Sequence, residues 1–394
     1  MNKTHTSDIL KLPFPLEEFS RRRNLVLEAM RESRLDAIVI TSVANIYYTT
    51  GLPNVFPLGL FALVLRSDGE GFWIGRRIEL SNAHSIVAVT GWSQVGRAIN
   101  DEEDPYDAFA EGLLSLVERE ARIGFEMDSR SFPPALVDRI ASATGVAIVN
   151  SSGLVESLRA VKTKDEIAYL RASGVMTAEM MRAAIGAIKV GARDSDVAAA
   201  AYLAGIKLGT DPLPTPPLVT AGPRSALAHT TFDFQPLKRG ELIGIELTSA
   251  VARYCTPCFR IATIGQARDE LRRYHDASRD ASLAAKDKLR PGMTSHEADL
   301  IVRASLEKAG YLEWFPVRAG YSIGLGFVPS WDEDHIMKLR PNDDRVLKPG
   351  MAFHVVPALY KSGVGVACCS NSLLITETGA EPLVPIEAEL MIVD

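Results

Sequence analysis

The sequence is poor in cysteine, with four in 394 residues, too few for a disulfide scaffold. The default expectation is a reducing cytoplasm. Long apolar runs are missing too. None reaches the ~18–20 residues that a membrane-spanning helix needs, and the stretch from Met1 to Lys11 is polar, without the apolar core of a secretory signal. An excess of basic residues is also lacking. Lys and Arg number 43 against 49 Asp and Glu, a net charge of −6, so a nucleic-acid surface would need a local basic patch. Only short basic clusters occur, such as Arg21-Arg22-Arg23 and Arg272-Arg273, each inside helical periodicity, and both read as solvated helix faces. No solenoid period is visible. Neither nucleic acid nor membrane is expected as a partner.

What is present is a globular composition, 47% hydrophobic and 23% charged. At roughly 100–200 residues per domain the length predicts two or three domains. Residues 16–34 show helical spacing, and Leu35 to Thr41 reads as a buried strand. Ala44 to Gly51 (ANIYYTTG) reads as a turn-like segment with adjacent tyrosines. Residues 61–66 and 71–75 flank a hairpin turn at Ser67 to Glu70. Helices at 106–120 and 132–143 alternate with strands at 121–125 and 146–149, an α/β pattern. Thr163-Lys-Asp-Glu166 is a capping box, followed by helices at 166–187 and 193–208. Strands are expected at 216–220, 242–248, 259–264, 352–357, 366–375 and 389–393, with helices at 267–289 and 294–309 between them. The expected division is an α/β domain over 1–155 and an α+β domain over 156–394.

One carboxylate stands out. Glu246 lies in the apolar strand Leu242-Ile-Gly-Ile-Glu-Leu247, where a buried charge without a partner is costly. Alternation puts it on one face with Gly244 and Thr248. His354 precedes Val356 by two residues and shares its face, as a site histidine or a satisfied core histidine. Cys255 and Cys258 have CxxC spacing, and Cys368-Cys369 follow downstream. A thiol or soft-metal site is one reading of these four, although adjacent cysteines on a strand point to opposite faces.

Several blocks together resemble the creatinase/aminopeptidase P-like superfamily with the pita-bread fold. They are Ala44 to Gly51, Val161 to Glu166, Leu237 to Glu246, Arg318 to Leu325, Leu347 to Phe353 and Leu373 to Gly379. The resemblance implies an α+β chain: a C-terminal pita-bread catalytic domain preceded by a smaller creatinase N-terminal-like α/β domain. It also implies a homodimer. Peptidases of that superfamily bind two metal ions through two aspartates, a histidine and two glutamates. Those positions fall here at Glu246, about Pro257, Tyr321 or a near neighbour, Val356 and about Ser370, a set that cannot make a dinuclear carboxylate site. No metal and no cofactor is therefore expected. His229 falls where the metal-free creatinase branch keeps its catalytic acid/base; its alternative is a loop histidine capping a turn. The Tyr321 to Gly324 block, Pro329 to Glu333 and Phe353-His354 resemble ectoine hydrolases, which open a cyclic amidine and whose glutamate at the Glu246 position is implicated in covalent attack. Gly51 to Phe56 and Val328 to Trp331 depart from that pattern and leave the substrate open.

The expected function is a metal-independent hydrolase of a non-peptide C–N bond in a small cationic or zwitterionic compound, a cyclic amidine such as ectoine or a guanidine such as creatine. His229 is the expected acid/base. Glu246 is the expected nucleophile or water-activating carboxylate. Tyr321 is the expected orienting hydroxyl, or else a packed tyrosine. His354, Trp331, Phe56 and Tyr48 are the expected substrate contacts; the aromatics would suit a flat cation, against a core role for Trp331 and Phe56. The alternatives are an Xaa-Pro-type metallopeptidase with rearranged ligands and an inactive pita-bread binding protein.

Overall fold

The structure is a computed structural model and describes residues 11–54, 59–143 and 146–394. The chain divides into two compact units, one ending at Arg159 and the other beginning at Ala160. The expected division at 155/156 falls inside the helix Leu154–Ala160.

The first unit is built on a six-stranded mixed sheet, in the order Ser93–Ile99, Gly71–Arg76, Phe61–Arg66, Ala37–Ile40, Arg122–Phe125, Ala147–Asn150. The central strand Ala37–Ile40 runs antiparallel to Phe61–Arg66 and parallel to Arg122–Phe125. It is apolar on both faces because helices cover both. Ala44 to Gly51 is not a turn. Val43–Thr50 is a helix, closed by Gly51 at φ 78° with its N–H on the Tyr47 carbonyl. β-branched and aromatic residues are weak helix formers, so local sequence hides this helix and tertiary contacts hold it. Glu126 accepts the Thr41 and Ser42 amides at 2.7 Å each, and the Asn45 amide donates to both Glu126 and Glu156. Burial, then the Glu156 charge, pushes Glu126 up to about 7.

In the second unit the capping box forms as expected: Glu166 N–H donates to Thr163 Oγ1 at 3.3 Å, and Thr163 N–H to Glu166 Oε2 at 2.7 Å. It starts the helix Lys164–Gly186, which packs with Asp194–Leu208. A second helix pair is Asp269–Lys288 and Ser295–Ala309. A four-stranded sheet runs Met391–Val393, Cys258–Ile264, Ile243–Leu247, Leu218–Ala221. A larger sheet holds Asn371–Ile375, Ala352–Val355 and Gly320–Phe327 side by side. The expected single strand over 366–375 is two, Gly365–Ala367 and Asn371–Ile375, in different sheets. The break at 368–370 lies in a continuously buried run, where no periodicity marks it.

The first helix of this unit touches its neighbours backbone to backbone. A Cβ at Gly174 would stand 2.0 Å from the Leu383 carbonyl oxygen. Gly174→Ala is expected to destabilise the protein by about 1–3 kcal/mol through overpacking, read as a lower urea midpoint at an unchanged slope.

Candidate functional site

The site begins with strand alternation. Ile243, Ile245 and Leu247 pack into the cluster that holds Met180, Met181 and Val197 of the first helix pair. Gly244 and Glu246 therefore face the other way. On that side a Cβ at Gly244 would lie 3.1 Å from Val366 and 3.2 Å from the Phe259 ring. Phe259 sits directly opposite Glu246 and belongs to the second cluster, with Val366, Leu359 and Cys368. Glu246 is half-buried and, among the described residues, forms no hydrogen bond or ion pair. Burial alone raises its pKa to about 7. Its charge reaches Tyr321, Tyr360, Cys258 and Cys368, whose pKa values all stand above their ordinary ones, each primarily through burial.

A hydrogen-bonded run borders this carboxylate. Tyr321 and His354 are cross-strand partners on Gly320–Phe327 and Ala352–Val355, so their side chains share a face. Trp331 Nε1 donates to Tyr321 Oη at 2.9 Å. Tyr321 Oη lies 2.8 Å from His354 Nδ1, and His354 Nε2 lies 2.6 Å from Ser370 Oγ. The Phe259 N–H donates to Ser370 Oγ at 2.7 Å. Arg260 holds the far end through the carbonyls of Ser370, Phe259 and Glu387 at 2.7–2.8 Å. Burial, then the charges of Arg260 and Arg318, pushes His354 down to about 3, so the ring is neutral. The Arg318 guanidinium lies 4.7 Å over the Tyr321 ring.

The other expected site residues are placed differently. His229 is exposed, on a turn at φ 57°, a conformation uncommon for a non-glycine residue. Two residues on, the Thr231 hydroxyl ties this turn to the Pro217 carbonyl and the Val219 N–H. These flank Leu218, which pairs with Glu246. Tyr48, expected at the substrate, is a packed residue of the first unit. It is buried, with its ring 4.3 Å from the Arg22 guanidinium and its hydroxyl donated to the Leu158 carbonyl. His354 and Trp331 are buried, and their ring nitrogens engage protein partners. Phe56 lies outside the described residues. All four cysteines are free and buried, and the described residues contain no group in which three thiols converge as ligands.

Sequence reasoning overlooked Tyr360, Arg260 and Arg318. The signal for Arg260 was present, since it is a charge in the otherwise apolar strand Cys258–Ile264, the same anomaly that marks Glu246. A fourth omission is the fully buried ion pair between Lys162 and Glu333, 3.1 Å apart.

A dinuclear metal site does not fit these side chains. Pro257 and Val356 carry no donor. Tyr321 and Ser370 flank the His354 imidazole, whose two nitrogens both engage them. Glu246 alone is a good ligand. Asp332, Asp334 and His335 do bring ligand atoms within 4.8 Å of one another, but Asp334 already faces Arg318 and Lys338 at 3.4 and 3.2 Å.

The fold is that of an α+β pita-bread protein with an N-terminal creatinase-type domain. Residues 168–377 match the model for metallopeptidase family M24, and residues 22–161 match the creatinase/prolidase N-terminal domain. The chain belongs to metallopeptidase family M24. It is 30% identical over 394 residues to an uncharacterised hydrolase/peptidase, y4tM, of Sinorhizobium fredii, covering 97% of this chain and 99% of that one. It is 27% identical over 402 residues to the ectoine hydrolase of Halomonas elongata, with the same coverage. Among solved structures it resembles the dipeptidase PepE of Mycobacterium ulcerans, with a TM-score of 0.83 at 25% identity over 96% of this chain and 99% of that one. These curated relatives are hydrolases. No helix among the described residues is long and apolar enough to cross a membrane.

Proposed function

We propose that this protein is a metal-independent hydrolase of a C–N bond in a small cationic or zwitterionic compound, a cyclic amidine such as ectoine or a guanidine such as creatine. The observation that carries this reading is the carboxylate of Glu246, half-buried and without a hydrogen bond or ion pair among the described residues, at a position where the resemblance puts a metal ligand, the others falling at about Pro257, at Tyr321 or a near neighbour, at Val356 and at about Ser370. An unpaired carboxylate of this kind favours a cationic ligand. The likeness to an ectoine hydrolase over almost the whole chain supports the same substrate class.

A protonated amidine carbon is already electrophilic, so it needs no Lewis acid. In its ionised form Glu246 faces that cation. In one route it takes a proton from water as hydroxide adds to the carbon; the C–N bond then breaks as His229 protonates the departing nitrogen, the new hydroxyl returns a proton to His229 as the carbonyl forms, and Glu246 gives its proton up to solvent. In the other it adds to the carbon itself, the C–N bond breaks with the same proton from His229, and water, giving a proton to His229, then attacks the covalent intermediate and releases the carboxylate. The Thr231 hydroxyl ties the histidine's turn to the strand that pairs with Glu246.

The test is turnover of ectoine, creatine and an Xaa-Pro dipeptide in excess chelator. Hydrolysis of an amidine or guanidine is expected, and His229→Ala is expected to lower kcat roughly 10²–10⁴-fold. Cleavage of the dipeptide alone, dependent on added divalent metal, would favour the metallopeptidase instead. Full activity of His229→Ala would remove the histidine from the mechanism.

A further inference from the structure

Two N–H groups that can only donate bracket three side chains. The Trp331 indole donates to Tyr321 Oη at one end, and the Phe259 amide donates to Ser370 Oγ at the other. His354 lies between the two hydroxyls, with Nδ1 on Tyr321 and Nε2 on Ser370. A neutral imidazole carries one proton, so one nitrogen donates and the other accepts. The hydroxyl beside the accepting nitrogen gives its proton to it. The hydroxyl beside the donating nitrogen accepts, and is left with a proton for some third group. The two tautomers differ only in which hydroxyl holds that extra proton.

If Nε2 carries the ring proton, the extra one belongs to Ser370. That residue is fully buried, and its hydroxyl has no further acceptor among the described residues. If Nδ1 carries it, the extra proton belongs to Tyr321, whose neighbour is the Glu246 carboxylate and which keeps some exposure. A buried hydroxyl proton without an acceptor is costly. The second arrangement avoids that cost.

We infer that His354 is a positioning residue held as the Nδ1–H tautomer, and that it makes Tyr321 a hydrogen-bond donor directed at the space beside Glu246. Tyr321 Oη then accepts from both Trp331 and His354, which fixes its lone pairs and leaves only its proton for a ligand. The Arg318 guanidinium over the ring adds positive charge on the same side. The tautomer stands on hydrogen-bond geometry and on the burial of Ser370 around a neutral ring; its consequence for substrate rests on the proposed hydrolase reading. A compound that fits both groups carries a cationic C–N centre for Glu246 and an acceptor oxygen, such as a carboxylate, for Tyr321.

The test is a proton–nitrogen correlation spectrum of the full-length protein labelled with ¹⁵N-histidine. The His354 signals are assigned as those that move most in Tyr321→Phe. Where that variant does not fold, Trp331→Phe assigns them, since it removes one donor to Tyr321 Oη and keeps the ring contact. The expected result is a proton on Nδ1 and an unprotonated Nε2 at neutral pH. A proton on Nε2 overturns the inference, whatever the activity assays show. On a substrate that is turned over, Tyr321→Phe is expected to lower kcat roughly 10²–10³-fold, as for loss of one preorganised donor. An unchanged kcat and KM would overturn the directed donor even with the tautomer as expected.

Discussion

Glu246→Gln is expected to lower kcat roughly 10²–10⁴-fold while making the folded protein more stable above neutral pH. The substitution keeps shape and removes charge, so the place of the side chain opposite Phe259 is retained. The stability half follows from linkage. The folded-state pKa of Glu246 is raised by burial to about 7, above the unfolded value near 4.5. Between those values the native state binds more protons than the unfolded one, so this group's contribution to stability falls as pH rises. Below pH ~4.5 the carboxyl is neutral in both states, and glutamine and glutamate should differ little. Above pH ~7 the wild-type protein carries the full cost of the buried charge and the variant does not. Urea unfolding at pH 4.5, 6 and 8 should show a stability gap that opens with pH in favour of the variant. The activity profile runs in the opposite sense, rising through pH ~7 as the carboxylate forms. A variant that is less stable at pH 8 would mean that Glu246 has a partner when ionised.

The second large effect concerns the ion pair between Lys162 and Glu333. Both side chains are almost fully buried, the nitrogen and oxygen are 3.1 Å apart, and Glu333 also accepts the Leu325 N–H at 3.1 Å. Removing Lys162 takes the 3.1 Å cationic partner from a buried carboxylate, so Lys162→Met is expected to cost about 3–5 kcal/mol. Replacing both, as Lys162→Met with Glu333→Gln, should recover much of that loss. Denaturant midpoints of the single and double variants measure it. A loss below about 1 kcal/mol in the single variant would show that water reaches the pair.

The pair also shows what the sequence reveals and what it hides. Lys162 lies in the block Val161 to Glu166 and Glu333 in the block Pro329 to Glu333, each recognisable by itself. Their contact spans 171 residues and no local pattern encodes it. The capping box at Thr163 was legible because it is a relation over three residues. The helices and most strands of the second unit were legible for the same reason, from periodicity. Glu246 was legible as a charge where the pattern calls for an apolar residue. The helix Val43–Thr50 was not, because a polar network from Glu126, Glu156 and Arg159 holds it. Tyr48 is a buried residue of that same helix. His354 illustrates a subtler limit. Its face was foreseeable from alternation, but its role depends on Trp331, Tyr321, Ser370 and Phe259, contributed by several strands. Arg260, like Glu246, was legible as a charge in an apolar strand, but its bonds to the Ser370, Phe259 and Glu387 carbonyls were not.

The central claim is that this member of a metallopeptidase family works by a carboxylate without a pair of metal ions. The direct measurement is elemental analysis of the same purified sample whose turnover is assayed. Hydrolysis undiminished at far less than one divalent ion per chain is the predicted result. Two tightly held ions per chain, with activity lost on their removal and restored on their return, would contradict it.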